Sequence, residues 1–109
     1  MSLTEIHTME SLETVLQTEK RVLLYIGDAD CAVCRSTKPR IQTMMKSYPL
    51  WAGVEASAQK TPDIAGQYLV FSIPAVLMFV EGKEIFRSAR FLDFQQIQQV
   101  FQRQMMQEE

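Results

Sequence analysis

The two cysteines of the chain, Cys31 and Cys34, stand close together in the stretch GDADCAVCRSTKP. Residues three apart lie on one face of a helix, so their sulfur atoms can meet. One helical turn also gives a Cα separation within the range of roughly 4.4 to 6.8 Å that a disulfide accepts. At a helix N-terminus, unpaired N–H groups and the helix dipole favour a thiolate at the first cysteine. The spacing therefore predicts a redox pair in which Cys31 attacks and Cys34 resolves the mixed disulfide.

Two other interpretations of the same pair stay open at this level. The cysteines could be two small thiols that pack side by side without reacting. They could also be part of a metal site, but zinc requires four ligands and the chain offers one histidine, His7, besides the two cysteines. A metal site would therefore need a second copy of the chain.

The composition is that of an ordinary globular protein, since 47% of its 109 residues are hydrophobic and the net charge is -2. This length predicts one domain over residues 1–109. Because no long run of one charge occurs, we expect neither nucleic acid nor a membrane as a partner. The stretch MSLTEIHTME has neither the basic start nor the apolar core of a secretory signal, so we expect a cytoplasmic location. A close cysteine pair there is more often catalytic, redox-sensing or metal-binding than structural.

Helices and strands alternate in the first half of the chain. Apolar residues spaced three and four apart predict a helix over Ser11 to Lys20. The continuous apolar run from Arg21 to Gly27 predicts a strand that is buried on both faces. Asp30 is a favoured N-cap residue, so we expect the second helix to begin directly after it, at Cys31, and to continue through Pro39. The cysteines would then lie in the first turn of a helix that follows a buried strand.

The second half of the chain predicts a strand, a helix, a hairpin and a final helix. Proline after Thr61 suits the first position of a helix, and Asp93 suits the N-cap of the last one. The short turn EGK between two apolar runs predicts an antiparallel hairpin. These elements cover Trp51 to Ser57, Thr61 to Val70, Ala75 to Val80, Glu84 to Ala89, and an apolar helical stripe from Phe94 to Met105. The order predicts an α/β fold with helices on both faces of a mixed sheet.

Four features of the chain resemble the thioredoxin superfamily at matching positions. CAVC opens the second helix, and Pro39 matches the proline that kinks this helix in the family. The segment SIPAVLMF, which contains Ile73 and Pro74, is similar to the family's loop before the fourth strand, and Gly82 matches its hairpin glycine. The resemblance implies a single thioredoxin-like domain with a central mixed sheet of about four to five strands and helices on both faces. It also implies that Pro74 is cis and faces the cysteines.

The same resemblance implies a thiol–disulfide oxidoreductase that serves cell redox homeostasis. It would exchange disulfides with protein or small-thiol substrates through Cys31 and Cys34. The residues expected to contact substrate are Ile73, Pro74, Ala32 and Val33. Proline cannot donate a backbone hydrogen bond, so the loop leaves the backbone of its neighbour free to pair with an extended peptide. Electrons would come from a flavin-dependent thioredoxin reductase or a small thiol, and no bound cofactor would be needed.

Two functions of other classes are compatible with these residues. A thioredoxin-like adaptor could hold a partner with the Ile73–Pro74 loop and use its cysteines only to sense oxidation. A dimer bridged by a metal or a cluster could use the cysteines as ligands. Insulin reduction separates the first from an oxidoreductase, and metal analysis of the purified protein tests the second.

Some residues next to the cysteines depart from the family's usual pattern. Asp30 stands where thioredoxins have Trp, and Ala32 and Val33 replace the Gly and Pro between the cysteines. The segment SARF, after the hairpin, lacks the glycine with which the family contacts substrate. The immediate surroundings of this pair are therefore expected to differ from those of a typical thioredoxin.

A further departure concerns the proton of the second cysteine. The buried Asp that the family carries before its first cysteine is replaced by Tyr25, and Glu55 aligns with a lysine on the neighbouring strand. With no acid at position 25, another group must accept the Cys34 proton. The candidate acceptors are Tyr25, Asp28, Glu55 and water.

Overall fold

The computed structural model describes residues 3–106, which form a five-stranded sheet with helices on both faces. The strands are β1 (Thr4–Glu5), β2 (Arg21–Gly27), β3 (Ala52–Ser57), β4 (Ala75–Val80) and β5 (Lys83–Ala89), and the helices are α1 (Met9–Thr18), α2 (Ala32–Met45), α3 (Pro62–Gln67) and α4 (Phe94–Met106). The strand order across the sheet is β1-β3-β2-β4-β5. Strands β1, β3 and β2 run parallel, whereas β4 is antiparallel to both β2 and β5. This architecture confirms the predicted fold class.

Strand β2 lies at the centre of the sheet and is buried along its whole length. Its side chains point alternately to the two faces, and helices cover both, so both sets must be apolar. This explains why the sequence of β2 shows a continuous apolar run instead of an alternating one. The strand ends at Gly27, from which the chain continues into the loop before α2.

The alternation of side chains on β2 divides the interior into two cores. Leu24 and Ile26 pack with residues of α1 and α3, such as Leu12 and Ile64. On the opposite face, Leu23 and Tyr25 pack with residues of α2 and α4, including Ile41, Ile97 and Phe101. Each fully buried aliphatic side chain contributes about 1.5–3 kcal/mol, so the two layers hold the helices firmly against the sheet. Tyr25 therefore lies on the same face of the sheet as the helix that carries the cysteines.

Trp51 is a structural residue of the second core. Its ring contacts Phe101 edge to face at a centroid distance of 5.2 Å, and Tyr48 stacks on the same phenylalanine at 4.5 Å. These contacts join the end of α2 and the start of β3 to α4. They bury Trp51 within the second core.

The hairpin between β4 and β5 turns through two residues, Glu81 and Gly82, which confirms the predicted tight turn. Both residues have a positive φ, 52° for Glu81 and 80° for Gly82. Such a pair is typical of the turn that matches the twist of a hairpin, and glycine adopts it without the clash of a β-carbon. Strand β5 begins at Lys83, one residue earlier than the sequence pattern indicates.

Two features of the fold differ from the sequence-based expectation. The edge strand β1 was not predicted, because its two residues are exposed and give no apolar signal; its pairing with β3 is continued by the Ile6 amide, which donates to the Glu55 carbonyl at 2.9 Å. In α4, Asp93 caps the helix as predicted, accepting from the Gln96 amide at 3.0 Å. However, Met105 is 56% exposed, so the buried stripe of α4 ends before it. No helix within residues 3–106 is long and apolar enough to cross a membrane.

Candidate active site

The cysteine pair lies at the N-terminus of α2, as its spacing predicts. Cys31 and Cys34 form a disulfide with a Cα separation of 5.2 Å, inside the range that the bond accepts. The backbone amide of Cys34 donates to the Sγ atom of Cys31 at 3.1 Å. An amide in the first turn of the helix therefore points toward the sulfur of the first cysteine.

The N-cap of α2 is Cys31 itself, so the prediction that Asp30 fills this position was wrong. Asp30 lies one residue earlier, in an exposed turn in which the Cys31 amide donates to the Asp28 carbonyl at 3.3 Å. An N-cap side chain accepts a hydrogen bond from the amide two or three residues later, and here that acceptor is sulfur instead of a carboxylate oxygen. The capping contact thus acts directly on the reactive atom.

The two cysteines differ in their access to solvent. Cys34 is 4% exposed, whereas Cys31 is only partly buried. Ala32 and Val33 between them are both exposed, Val33 to 44%. An incoming molecule can therefore reach the sulfur of Cys31 more readily than that of Cys34.

Gly27 and Tyr25 form the site in which the buried Cys34 lies. A β-carbon on Gly27 would lie 3.0 Å from the Sγ atom of Cys34, so any larger residue here would crowd this sulfur. The Tyr25 hydroxyl lies 3.1 Å from the Cys34 carbonyl oxygen, to which it donates, and 3.3 Å from the Thr37 hydroxyl. Tyr25 thus fixes the backbone of the first turn of α2 from beneath.

The electrostatic surroundings keep Tyr25 neutral. Burial raises the pKa of Tyr25 above the ordinary value of 10.0, and the negative charge of Glu55 raises it further, although the hydrogen bond with Thr37 lowers it. A tyrosine that holds its proton in this way donates hydrogen bonds and carries no charge near neutral pH. Where the family has a buried carboxylate, this chain has a neutral donor.

A cavity of about 270 Å³ opens beside Cys34 and is lined in part by Tyr25, Gly27, Lys38 and Glu55. Lys38 of α2 and Glu55 of β3 form an ion pair across it, with 2.7 Å between Nζ and Oε1. Their side chains are 37% and 21% exposed, so water can reach the pair. The sequence indicates Lys38 only as a positive charge near the cysteines. Its ion pair with Glu55 was not predicted, because the two residues meet only when α2 packs on the sheet.

Asp28 holds the loop before α2 in place. Its carboxylate accepts from the Ser57 hydroxyl at 2.6 Å and from the Gln59 amide at 3.1 Å. These bonds join the loop after β2 to the end of β3 and to the segment that follows it. The carboxylate is therefore already engaged by two donors.

The loop that contains Ile73 and Pro74 lies at the same end of the sheet as the cysteines, because Ala75 pairs with Ile26 near the end of β2. The Ile73–Pro74 peptide bond is cis, the isomer that the resemblance implies. Pro74 is buried and its carbonyl oxygen accepts from the Arg90 amide at 2.7 Å. Ile73 is half-buried, and within residues 3–106 its backbone amide and carbonyl take part in no hydrogen bond.

A thioredoxin family model matches residues 3–103 of this chain. The chain belongs to the thioredoxin family. Thioredoxin-like protein YdfQ of Bacillus subtilis is 30% identical to it over 101 residues, which cover 93% of this chain and 90% of the relative. Thioredoxin of Mycoplasma genitalium is 28% identical over 89 residues, which cover 82% of this chain and 87% of the relative.

Solved thioredoxin structures share the fold. Thioredoxin from Trypanosoma brucei brucei aligns with a TM-score of 0.85 at 12% identity and covers 98% of this chain and 93% of its own. Mitochondrial thioredoxin 3 from Saccharomyces cerevisiae aligns with a TM-score of 0.85 at 15% identity. The alignment covers 93% of this chain and 94% of that thioredoxin. Membership of the family and the Cys31–Cys34 disulfide together support a thiol–disulfide oxidoreductase. Thioredoxins act in general on proteins that contain disulfides.

From the sequence, Arg90 in the segment SARF could line the site or solvate the edge strand, and the edge strand was the favoured interpretation. The φ of Arg90 is +71°, a left-handed conformation that glycine adopts freely and that other residues adopt rarely. The chain thus carries a long cationic side chain beside the Ile73–Pro74 loop. A non-glycine residue in a segment where the family has glycine is the signal that could have identified it.

Exposed aromatic side chains flank the Ile73–Pro74 loop, and the sequence analysis did not identify them. Phe71, two residues before Ile73, is 86% exposed, and Phe91, next to Arg90, is 78% exposed. Single exposed apolar residues are common on protein surfaces, so the sequence alone does not distinguish Phe71 and Phe91 as site residues. Only the fold places the end of β5 and the loop before β4 at the same end of the sheet as the cysteines.

Proposed function

We propose that the chain reduces or forms protein disulfides, with Cys31 as the attacking thiolate and Cys34 as the resolving thiol. The observation that carries this assignment is the asymmetry of the pair. Cys31 is accessible and accepts the Cys34 amide at its sulfur, while Cys34 is buried. An amide and a helix N-terminus that face the first sulfur stabilise a negative charge there.

The reaction proceeds by two exchanges. The Cys31 thiolate attacks one sulfur of the substrate disulfide, the S–S bond breaks, and the first substrate sulfur leaves as a thiolate that takes up a proton. Cys34 then loses its proton and attacks Cys31, which releases the second substrate thiolate. The substrate gains two electrons and two protons, and the protein becomes the Cys31–Cys34 disulfide. The reverse direction uses the same residues.

Glu55 is our proposed acceptor for the Cys34 proton, through water in the cavity beside it. Tyr25 is held neutral as a donor, and Asp28 is engaged by Ser57 and Gln59. Glu55 is a carboxylate in the cavity lining that water can reach, and its ion pair with Lys38 holds it in place. This choice selects one of the predicted candidates on the basis of their partners.

Substrate binding is proposed at Ile73, Pro74, Ala32 and Val33. The unpaired backbone of Ile73 suits an extended segment of the substrate, which can add to it as a strand does. The exposed side chains of Ala32 and Val33 provide an apolar surface next to Cys31. A flavin-dependent thioredoxin reductase or a small thiol would return electrons to the disulfide in the cytoplasm.

Insulin reduction in the presence of dithiothreitol tests the proposal. The wild-type protein should accelerate the precipitation of the insulin B chain, and the variant Cys31→Ser should not. The variant Cys34→Ser should instead accumulate a mixed disulfide with the substrate, detectable by mass spectrometry. Equal rates for wild type and Cys31→Ser would leave the adaptor function, in which the Ile73–Pro74 loop holds a partner without turnover.

A further inference from the structure

We propose that Arg90 selects substrates that carry a carboxylate beside the disulfide, so that the protein acts preferentially on acidic disulfide segments. This inference rests on the proposed function and adds a substrate class to it. It is drawn from the position of Arg90, the charges around it and its exposed neighbours.

The backbone holds Arg90 against the loop that presents Ile73. Its amide donates to the Pro74 carbonyl oxygen at 2.7 Å, and the preceding residue, Ala89, pairs with Ala75 at the start of β4. A positive φ in a non-glycine residue persists where surrounding contacts hold it, and residues of this kind cluster at functional sites. The backbone of Arg90 is therefore fixed against the Ile73–Pro74 loop, at the end of the sheet that also leads into the cysteine loop.

The charge of Arg90 has no acidic partner within residues 3–106. The ion pairs there join Lys38 with Glu55 and Arg87 with Glu84, and the Arg90 side chain is exposed. Its guanidinium lies 5.5 Å from the centroid of the Phe91 ring, a contact that leaves the N–H donors at its edge free. A guanidinium of this kind can bind a carboxylate with two parallel hydrogen bonds.

The neighbourhood has the composition of a recognition surface. Phe91 and Phe71 are both largely exposed, and arginine and aromatic residues are enriched where proteins bind one another. The exposed Asp30, which directly precedes Cys31 in the chain, carries the opposite charge. A segment that crosses from Asp30 to Arg90 would thus meet a negative and then a positive group.

The sheet gives the position of the expected carboxylate. Cys31 follows β2 and Arg90 follows β5, and the two strands are separated by β4. Two strand spacings amount to about 10 Å, which an extended peptide spans in about three residues. The carboxylate is therefore expected about three residues from the attacked cysteine, on the side that lies toward β5.

Peptides with one disulfide test this inference. A matched set carries Glu, Gln or Lys three residues from the cysteine, on either side, and the second-order rate constant for reduction is measured at low and high salt. Wild type should reduce the Glu peptide about two- to fivefold faster than the Lys peptide at low salt, the size expected for one exposed charge pair. The preference should fall at high salt, because salt screens exposed charges.

Variants of Arg90 identify the group responsible. Arg90→Gly removes the charge at a position whose backbone suits glycine, so it should fold and should lose the preference, while Arg90→Lys should keep part of it. The control Arg103→Gln removes an exposed charge on α4 and should leave the preference unchanged. Equal rates for Glu and Lys peptides in wild type, or a preference that survives in Arg90→Gly, would overturn the inferred role of Arg90. The proposed function would not be affected by either result. If no peptide shows turnover that depends on Cys31, the proposed function fails and the inference fails with it.

Discussion

The Sγ atom of Cys34 lies 3.0 Å from the point that a β-carbon on Gly27 would occupy. The same point is 3.0 Å from a ring carbon of Tyr25 and 3.3 Å from its hydroxyl oxygen. The buried sulfur thus fits into a space that glycine leaves open and that tyrosine closes from the side. In this member of the thioredoxin family, the last residues of the central strand determine where the buried cysteine can lie.

Replacing Gly27 by alanine should disturb the packing of the Cys34 sulfur against Tyr25. Close contacts of this kind force side chains to shift, and the free energy of unfolding should fall by about 1–3 kcal/mol. Urea unfolding of the oxidised protein measures the change. The matched control is Gly66→Ala in α3, where no atom lies within 4 Å of the new β-carbon, and which should raise stability by up to about 1 kcal/mol. Similar effects of the two substitutions would contradict this account of Cys34.

Tyr25→Phe should alter the response of the protein to alkaline pH. Burial raises the folded-state pKa of Tyr25 above 10.0, so its neutral form stabilises the fold fully below that pH, and this contribution is lost as the pH rises through the folded pKa. Wild type should therefore lose stability above about pH 10, and the variant should lose less. Urea unfolding at rising pH, with tyrosinate absorbance near 295 nm as the titration signal, provides the measurement. An alkaline loss of the same size in both proteins would refute this role.

The same substitution should lower stability at neutral pH. It removes the hydroxyl that donates to the Cys34 carbonyl oxygen at 3.1 Å, and such a bond contributes about 0.5–1.5 kcal/mol. The Thr37 hydroxyl, 3.4 Å from the same oxygen, can replace part of the contact. Urea unfolding at pH 7 would show this loss, and a variant as stable as wild type would mean that Thr37 compensates fully.

Glu55→Gln should slow the resolving step if Glu55 accepts the Cys34 proton. Loss of a general base typically lowers a rate by a factor of about 10²–10⁴, and transfer through water places the expected effect at the lower end. Stopped-flow release of the second thionitrobenzoate from Ellman's reagent follows this step. Asp28→Asn is the matched control, because asparagine can still accept from Ser57 and Gln59 and should leave the rate unchanged. An unchanged rate in Glu55→Gln would assign the proton to solvent.

Arg87→Met should loosen the segment that leads to Ile73. The Arg87 guanidinium donates to the carbonyl oxygens of Tyr68 and Leu69 at 2.8 and 3.2 Å and is itself held by Glu84. Without it, amide hydrogen exchange over residues 68–73 should speed up, with a modest loss of stability of about 0.5–1.5 kcal/mol. The variant Glu84→Gln keeps both carbonyl contacts and should show a smaller change. Exchange that is unaffected in Arg87→Met would show that the segment is held by other contacts.

Much of the fold follows from local signals in the sequence. The buried run of β2, the proline that opens α3, the hairpin glycine and the cap at Asp93 each act within a few residues, so their spacing reveals them. The cysteine pair belongs to the same class, since one helical turn brings the two sulfur atoms together. The strand β1 was not predicted, because its two residues are both exposed and leave no apolar pattern in the sequence.

The sequence by itself determined which residues could exchange disulfides and on which elements they lie. Only the tertiary structure decided their surroundings. Cys31 can cap its own helix because of the path of the loop before it. Asp28 holds this loop through a hydrogen bond from the Ser57 hydroxyl at the end of β3. The pairing of Lys38 with Glu55, and of Arg90 with Pro74, joins residues far apart in the chain. Such contacts arise when elements pack across the sheet, and no local pattern of side chains encodes them.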